Sequence, residues 1–211
     1  MRLIIVRHGE TTHNRDKITQ GDLDTELTDL GRRQAEALAK RLLREKIDVI
    51  YSSDLKRCRD TLEPFLRLRK IVVHYTKELR EQSHGVFQER PYKEFTSWQD
   101  SKKGKKFEMK PEEGESFNDV MRRVNKFLDV ILEKEKKILL MTHGITKRAI
   151  LMSLFNKKDE EYYNELRELS KNTAMTIINL KNDGRHEVES LYSVEHLEDL
   201  DENNFEGDVN K

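Results

Sequence analysis

The amino-acid sequence predicts an α/β fold: three layers, α/β/α, around a largely parallel mixed sheet. Three observations predict it. Short apolar runs rich in branched residues alternate with amphipathic helical stretches through most of the chain. A late pair of strand-like runs is joined by Asn182-Asp183-Gly184, a hairpin turn that places an antiparallel strand at an edge. Between the third strand and the next long helix lies a stretch of poor periodicity, which suits a small cap above the sheet.

The elements follow in order. Arg2 to Val6 is a buried strand, and the polar stretch after it, with Gly9, Asn14, Gly21 and Asp24, reads as a loop. Thr28 can cap a helix reaching about Glu45, with Ala35, Leu38 and Leu42 on one face. Asp48 to Tyr51 is a second strand ending at Ser52 and Ser53. Leu55 to Leu68 is helical, with Pro64 expected to kink or stop it. Ile71 to Tyr75 is a third strand. Residues 79–111 form the cap, with Trp98 and the cluster Lys102, Lys103, Lys105 and Lys106. Ser116 and Asp119 form a capping box ahead of Phe117, Val120, Val124, Phe127 and Ile131, which recur at steps of three and four. Lys137 to Thr142 is a buried strand, Gly144 to Phe155 a helix, and Ala174 to Leu180 and Glu187 to Val194 the late strands.

A chain of 211 residues suits one domain, expected over 1–198, followed by an acidic tail at 199–211 expected to be disordered. Apolar residues make up 35% and charged residues 38%, so a heavily charged surface is expected. No apolar run is long enough to cross a bilayer. The first residues lack the pattern of a secretory signal, so a cytoplasmic protein without membrane contact is expected. The single cysteine, Cys58, excludes an internal disulfide and a cysteine-based metal cluster. The formal net charge of zero conceals an asymmetry: Glu195 to Lys211 holds seven acids and one base, leaving 33 acids against 39 bases elsewhere. A mildly basic body favours an anionic ligand without pointing to nucleic acid.

Reactive side chains cluster where strands end, the edge at which open α/β sheets bind ligands. Arg7 and His8 follow the first strand, Arg57 follows the second, Glu81 the third, and His143-Gly144 the strand of Ile138 to Met141. Two guanidiniums can hold a phosphoryl group through paired donors. A neutral imidazole can attack phosphorus, a second can stabilise shifting oxygen charge, and a carboxylic acid can protonate the leaving alcohol and then activate water. Arginine charge can take the place that magnesium holds in other phosphoryl-transfer sites, so neither metal nor cofactor is expected. Glu81 could instead pair with Arg80 or Arg90 at the surface. The lysine cluster could be a solvated loop, the slightly favoured assignment, or a hold on a second anionic group.

These residues also carry a family resemblance. Arg7-His8-Gly9-Glu10-Thr11 with Asn14, then Gly21, Asp24, Leu27-Thr28 and Gly31, resemble the signature of the histidine phosphatase superfamily in its phosphoglycerate-mutase-like branch. Ser52-Ser53-Asp54-Leu55 with Arg57 and Thr61, Leu79-Arg80-Glu81 with Gly85, Gly114-Glu115-Ser116, and Thr142-His143-Gly144 resemble its later blocks in the same order. The resemblance implies that His8 becomes phosphohistidine, that Arg7, Arg57 and His143 bind the phosphoryl oxygens with Asn14 in support, and that Glu81 moves the proton. Thr11, Gly21, His84 and Gly144 are expected to help line the substrate site. Gln82-Ser83-His84 stands where the mutases typically carry an Arg-His-Tyr stretch after the acid, which favours hydrolysis over phosphoryl transfer between hydroxyls. A pocket that binds phosphate esters without turnover is the less favoured alternative. The expected partner is a small phosphorylated metabolite, and an exposed edge strand would permit a homodimer.

Overall fold

The structure, a computed structural model, describes residues 1–132, 136–181, 185–198 and 200. Along the chain run β1 (Arg2–Arg7), α1 (Thr12–Arg15), α2 (Asp29–Leu42), β2 (Val49–Ser53), α3 (Lys56–Leu68), β3 (Val73–Thr76), α4 (Tyr92–Ser101), α5 (Phe117–Ile131), β4 (Lys137–Thr142), α6 (Gly144–Leu154), α7 (Glu160–Glu168), β5 (Met175–Asn179) and β6 (Glu187–Ser193). Among the described residues the strands form one sheet in the order β3-β2-β4-β1-β5-β6. The pairs β1/β4, β4/β2 and β2/β3 are parallel, whereas β5 runs antiparallel to β1 and β6 antiparallel to β5. The antiparallel strand brought by the late hairpin is therefore β5, with β6 beyond it at the edge.

Period-two alternation decides which layer each strand residue meets. Leu3 and Ile5 of β1 and Ile138 and Leu140 of β4 pack on one face against Val120, Val124 and Leu128 of α5 and Ala149 and Ile150 of α6. Ile4, Val6, Leu139 and Met141 point to the other face, against Leu38 and Leu42 of α2 and Leu62 and Phe65 of α3. Both faces are covered, which is why β1 and β4 read as unbroken apolar runs rather than alternating ones.

Local signals set the helix starts. The Thr28 hydroxyl accepts from the Gly31 amide at 2.9 Å to open α2. At α5 the Ser116 side chain accepts from the Asp119 amide at 3.1 Å while the Asp119 carboxylate accepts from the Ser116 amide at 2.9 Å. Pro64 does not stop α3, which continues to Leu68. Proline forfeits one backbone bond, but Pro64 is itself buried, in the stripe of Arg57 and Thr61. Helix α2 ends at Leu42 rather than Glu45, whose carboxylate instead pairs with Arg2 and Arg41. Helix α1 lies in a stretch that reads as loop, because four residues are too few to show a period. Helix α7 had no counterpart in the sequence reading. It is capped by Asp159, which accepts from the Tyr162 amide at 2.8 Å. The turn at 182–184 and the tail at 199 and 201–211 lie outside the described residues.

The cap rises between β3 and α5 and is built around α4. Its centre is aromatic: the rings of His84, Phe87 and Trp98 each lie 4.3 to 5.8 Å from that of Phe95. The cap leaves and rejoins the main body at one place. The Glu115 amide donates to the Ser83 carbonyl at 2.8 Å, the Gln82 amide side chain donates to the Glu115 carbonyl at 2.6 Å, and Glu115 itself is held by Arg123 at 3.0 Å. Lys102, Lys103, Lys105 and Lys106 are all exposed, with Lys106 paired to Asp100 and Lys105 to Glu108.

Candidate active site

The carboxyl ends of β1, β2 and β4 and the segment after β3 surround a cavity of about 640 Å³. Its wall includes Arg7, His8, Asn14, Gly21, Arg57, Glu81, His84 and Gly144. Eight of the residues expected from sequence thus converge. Thr11 and His143 are in contact with this group but not in the wall itself.

His8 continues the ladder past the end of β1, its amide donating to the Thr142 carbonyl at 3.0 Å. Its Nδ1 lies 2.7 Å from the Gly9 carbonyl oxygen. A carbonyl only accepts, so Nδ1 carries the proton and Nε2 keeps its lone pair. Burial, then the charges of Arg57 and Arg7, hold the imidazole well below its ordinary range, so it is neutral at pH 7. The Gly9 amide is held by the Thr61 hydroxyl at 2.9 Å, and the His8 carbonyl receives the Asn172 side-chain amide at 3.0 Å and the Thr173 amide at 3.2 Å. Backbone and ring are therefore both fixed.

Arg57 lies in the first turn of α3 and is fully buried. Its guanidinium donates to the Leu23 carbonyl at 2.6 Å, the Gly21 carbonyl at 2.8 Å and His143 Nδ1 at 3.0 Å. Each terminal nitrogen keeps a second hydrogen for the cavity. Because Nδ1 of His143 accepts from Arg57, the proton of that ring sits on Nε2, which donates to the Ser53 hydroxyl at 2.8 Å. The His143 ring centre is 5.1 Å from that of His8. Arg7 donates to the Ser170 carbonyl through one terminal nitrogen, while its Nε is buried with no partner among the described residues. Burial pulls Arg7 down to about 10, still fully charged at neutral pH.

Glu81 does not pair with Arg80, which grips Asp54 at 2.6 and 2.7 Å. Its carboxylate lies instead over the start of α6 and accepts from the amides of Ile145 at 3.1 Å and Thr146 at 3.2 Å. The N-cap residue His143 offers no side-chain cap, so Glu81 satisfies these amides from another segment. Asn14 accepts on Oδ1 from Asn172 at 3.2 Å, which leaves its amide hydrogens to donate into the cavity. Thr11 is a structural cap: it accepts from the Asn14 amide at 3.1 Å and donates to Gln20 at 2.9 Å. His84 is packed against Phe95, and burial draws it down to about 4. Sequence reasoning missed Tyr92, Ile145, Arg148, Arg167 and Ser170 in the wall. Arg148 follows His143 by five residues, off the three-and-four spacing that puts side chains on one helix face, so no local pattern marked it.

Gly21 has φ of +54°, and a Cβ there would stand 1.8 Å from Gln88 Oε1. That oxygen accepts from the amides of Asp22 at 3.1 Å and His84 at 3.2 Å. Gly21→Ala is expected to cost about 1–3 kcal/mol in urea unfolding and to lower activity by shifting the carbonyl that holds Arg57. Wild-type stability in this variant would contradict the steric argument.

Three buried histidines also set the response to acid. His8, His84 and His143 are all drawn below 6.5, in each case chiefly by burial. The unfolded chain takes up a proton on each near pH 6.5 and the folded chain does not. Their contribution is therefore intact above pH 6.5 and lost as pH falls below it, by about 1.4 kcal/mol per pH unit per histidine. Denaturation at pH 7.5 and 5.5 should differ by about 4 kcal/mol from these three groups; equal stabilities would show that they do not fold as neutral rings.

Such a sheet, with two arginines, two histidines and a carboxylate gathered at one edge, defines an enzyme that handles phosphate esters, of phosphatase or mutase type. The model of the histidine phosphatase superfamily (branch 1) matches residues 3–192, and the chain belongs to that family. A Schizosaccharomyces pombe protein named as a probable phosphatase is 31% identical over 206 residues, covering 94% of this chain and 96% of its own length. The phosphoglycerate mutase-like protein 4 of Arabidopsis thaliana is 33% identical over 214 residues, covering 93% of this chain and 87% of its own. Among solved structures, a mycobacterial glucosyl-3-phosphoglycerate phosphatase in complex with VO3 superimposes with a TM-score of 0.76 at 26% identity, covering 90% of this chain and 97% of that one. Among the described residues no helix is long and apolar enough to cross a membrane, and no group of three or more His, Cys, Asp or Glu could hold a metal ion.

Proposed function

We propose that the protein hydrolyses the phosphomonoester of a small metabolite through a phosphohistidine at His8, without a metal. The observation that carries this is the bond from Nδ1 to the Gly9 carbonyl, which supports an unprotonated Nε2 beside Arg7 and Arg57. In the first step the Nε2 lone pair forms the N–P bond as the ester P–O bond breaks. Arg7, Arg57 and Asn14 hold the phosphoryl oxygens, and Glu81 gives its proton to the departing alkoxide. In the second step Glu81 takes a proton from water, whose oxygen attacks phosphorus and expels His8, releasing inorganic phosphate. His143 serves here by orienting Arg57. To donate to a phosphoryl oxygen it would have to give up Ser53.

Hydrolysis is favoured over transfer between hydroxyls because Gln82-Ser83-His84 follows the acid and α4 is the one long helix of the cap. Phosphate release from a panel of phosphorylated metabolites in chelator-containing buffer tests this. Release without added metal is expected. Phosphoryl transfer between glycerate hydroxyls with almost no free phosphate would replace hydrolysis by the mutase reaction, and binding without any turnover would leave only a phosphate-ester pocket.

A further inference from the structure

We propose that Lys147 is a positioning residue of the reaction: from the buried side of α6 it fixes the turn from Lys171 to Ala174, and through that turn the carbonyl of His8 and the orientation of the Asn14 side chain. This rests on the roles proposed above for His8 and Asn14. Lys147 is the fourth residue of α6 and is fully buried. Its amide donates to the His143 carbonyl at 2.9 Å, and its Nζ donates to the Ala174 carbonyl at 2.7 Å. The Tyr192 ring centre lies 4.1 Å from Nζ. Among the described residues no carboxylate pairs with Lys147, and burial, then the charge of Arg7, pulls the amine well below the usual lysine range.

Such an amine costs the fold more than an apolar side chain of the same length would. Taking it out of water without a carboxylate is unfavourable, and apolar replacements of buried charges are often neutral or stabilising. What Lys147 supplies is a donor to one carbonyl, and that carbonyl belongs to a strained turn. The turn closes with the Ala174 amide donating to the Lys171 carbonyl at 3.3 Å. Its third residue, Thr173, has φ of +54°. Glycine adopts that conformation freely and a β-branched residue avoids it.

Three contacts hold Thr173 and Ala174 in place. Lys147 grips the Ala174 carbonyl, the Thr173 amide donates to the His8 carbonyl at 3.2 Å, and His196 Nε2 lies 3.2 Å from the Thr173 hydroxyl. The held turn delivers Asn172, whose Nδ2 donates to the His8 carbonyl at 3.0 Å and to Asn14 Oδ1 at 3.2 Å. Asn14 Oδ1 also takes the Thr11 amide at 3.3 Å. With its oxygen held, Asn14 must present its NH2 group to the cavity; turned over, it would present a carbonyl oxygen to an anion. Lys147 thus ties the start of α6, through its main chain, to His8 and Asn14, through its side chain.

A double-variant cycle in the full chain tests the proposal, read as phosphate release and as thermal midpoint. Lys147→Met keeps the length and removes the donor. It should hold or raise the thermal midpoint and lower kcat by about tenfold, with KM changed by about threefold at most. Asn172→Ala should lower kcat by a similar factor. The two together should lower it by about tenfold rather than a hundredfold, because both act through the same turn. Lys147→Gln, which keeps a shorter donor, should recover part of the loss. Undiminished kcat in Lys147→Met overturns the proposal, as do losses that multiply or a loss of activity that only tracks a loss of stability. If Lys147→Met does not fold, Lys147→Gln takes its place in the cycle, with an expected drop of about threefold. If wild type hydrolyses no ester, calorimetric titration with inorganic phosphate reads the cycle instead. Affinity weakened about threefold by each variant and no further by both keeps the positioning role and removes the hydrolase reading. Affinity unchanged in Lys147→Met removes the positioning role.

Discussion

His8→Ala should reduce phosphate release by about 10⁴-fold or more, with folding unchanged. The size follows from the proposed role. The ring supplies the lone pair that bonds to phosphorus, and no other neutral nucleophile on the cavity wall is placed between Arg7 and Arg57. Two other imidazoles line the wall: His84, drawn down to about 4, is pressed against Phe95 in the cap, and His13 sits on α1. Rapid quenching of the wild type should trap one acid-labile phosphoryl group per chain, and the alanine variant should trap none. The ring does little for the fold beyond its bond to Gly9, so the thermal midpoint should shift by a few degrees at most. Activity surviving in the purified variant would place the nucleophile elsewhere.

Arg57→Ala should damage stability and activity together. Removing the guanidinium leaves the carbonyls of Gly21 and Leu23 and Nδ1 of His143 without their donor in a fully buried position. An unsatisfied buried acceptor costs about 1–3 kcal/mol, and water entering the space recovers part of it, so a net loss of about 3–5 kcal/mol is expected in urea unfolding. The activity loss should be about 10²–10³-fold, the scale for removing an oriented donor from a charged transition state. Arg57→Lys should rescue little of either, because an ammonium cannot span three acceptors in a plane. Full stability with lost activity would mean that the three bonds carry no weight in the fold, and full activity would mean that Arg57 does not hold phosphate.

Most of the sheet and much of the site were legible in the sequence for separable reasons. β1 and β4 announce themselves because both faces are covered, and α5 because its capping box and three-four spacing agree. Arg7, His8, Arg57, Glu81 and Gly144 were legible because strand ends meet at one edge. What escaped depends on distance in the chain. The anchoring of Glu81 on the amides of α6 joins residues more than sixty positions apart. The division of the His143 ring nitrogens between Arg57 and Ser53 depends on the spatial meeting of two strand ends. Pro64 misled because the local cost of proline is visible in sequence and the burial that offsets it is not. Arg148 and α7 were hidden among ordinary helical charges, since the sequence does not show which lose water.

The clasp of Gln82 and Ser83 with Glu115 has an evolutionary consequence. Everything between those two points leaves from one doorway and returns through it, while Arg7, His8 and Arg57, the residues proposed to meet the phosphoryl group, are held by bonds outside it. Loop-closure entropy rises only slowly with length, so a longer or shorter insert between the same posts changes folding stability little. Of the segment from His84 to Gly114, the part beyond Tyr92 can therefore be exchanged like a cassette, whereas Gln88, Arg90 and Tyr92 stay tied to Asp22, Thr19 and Lys17 beside the site. A lineage could change the shape of the molecule it accepts there and leave the proposed reaction at His8 as it was.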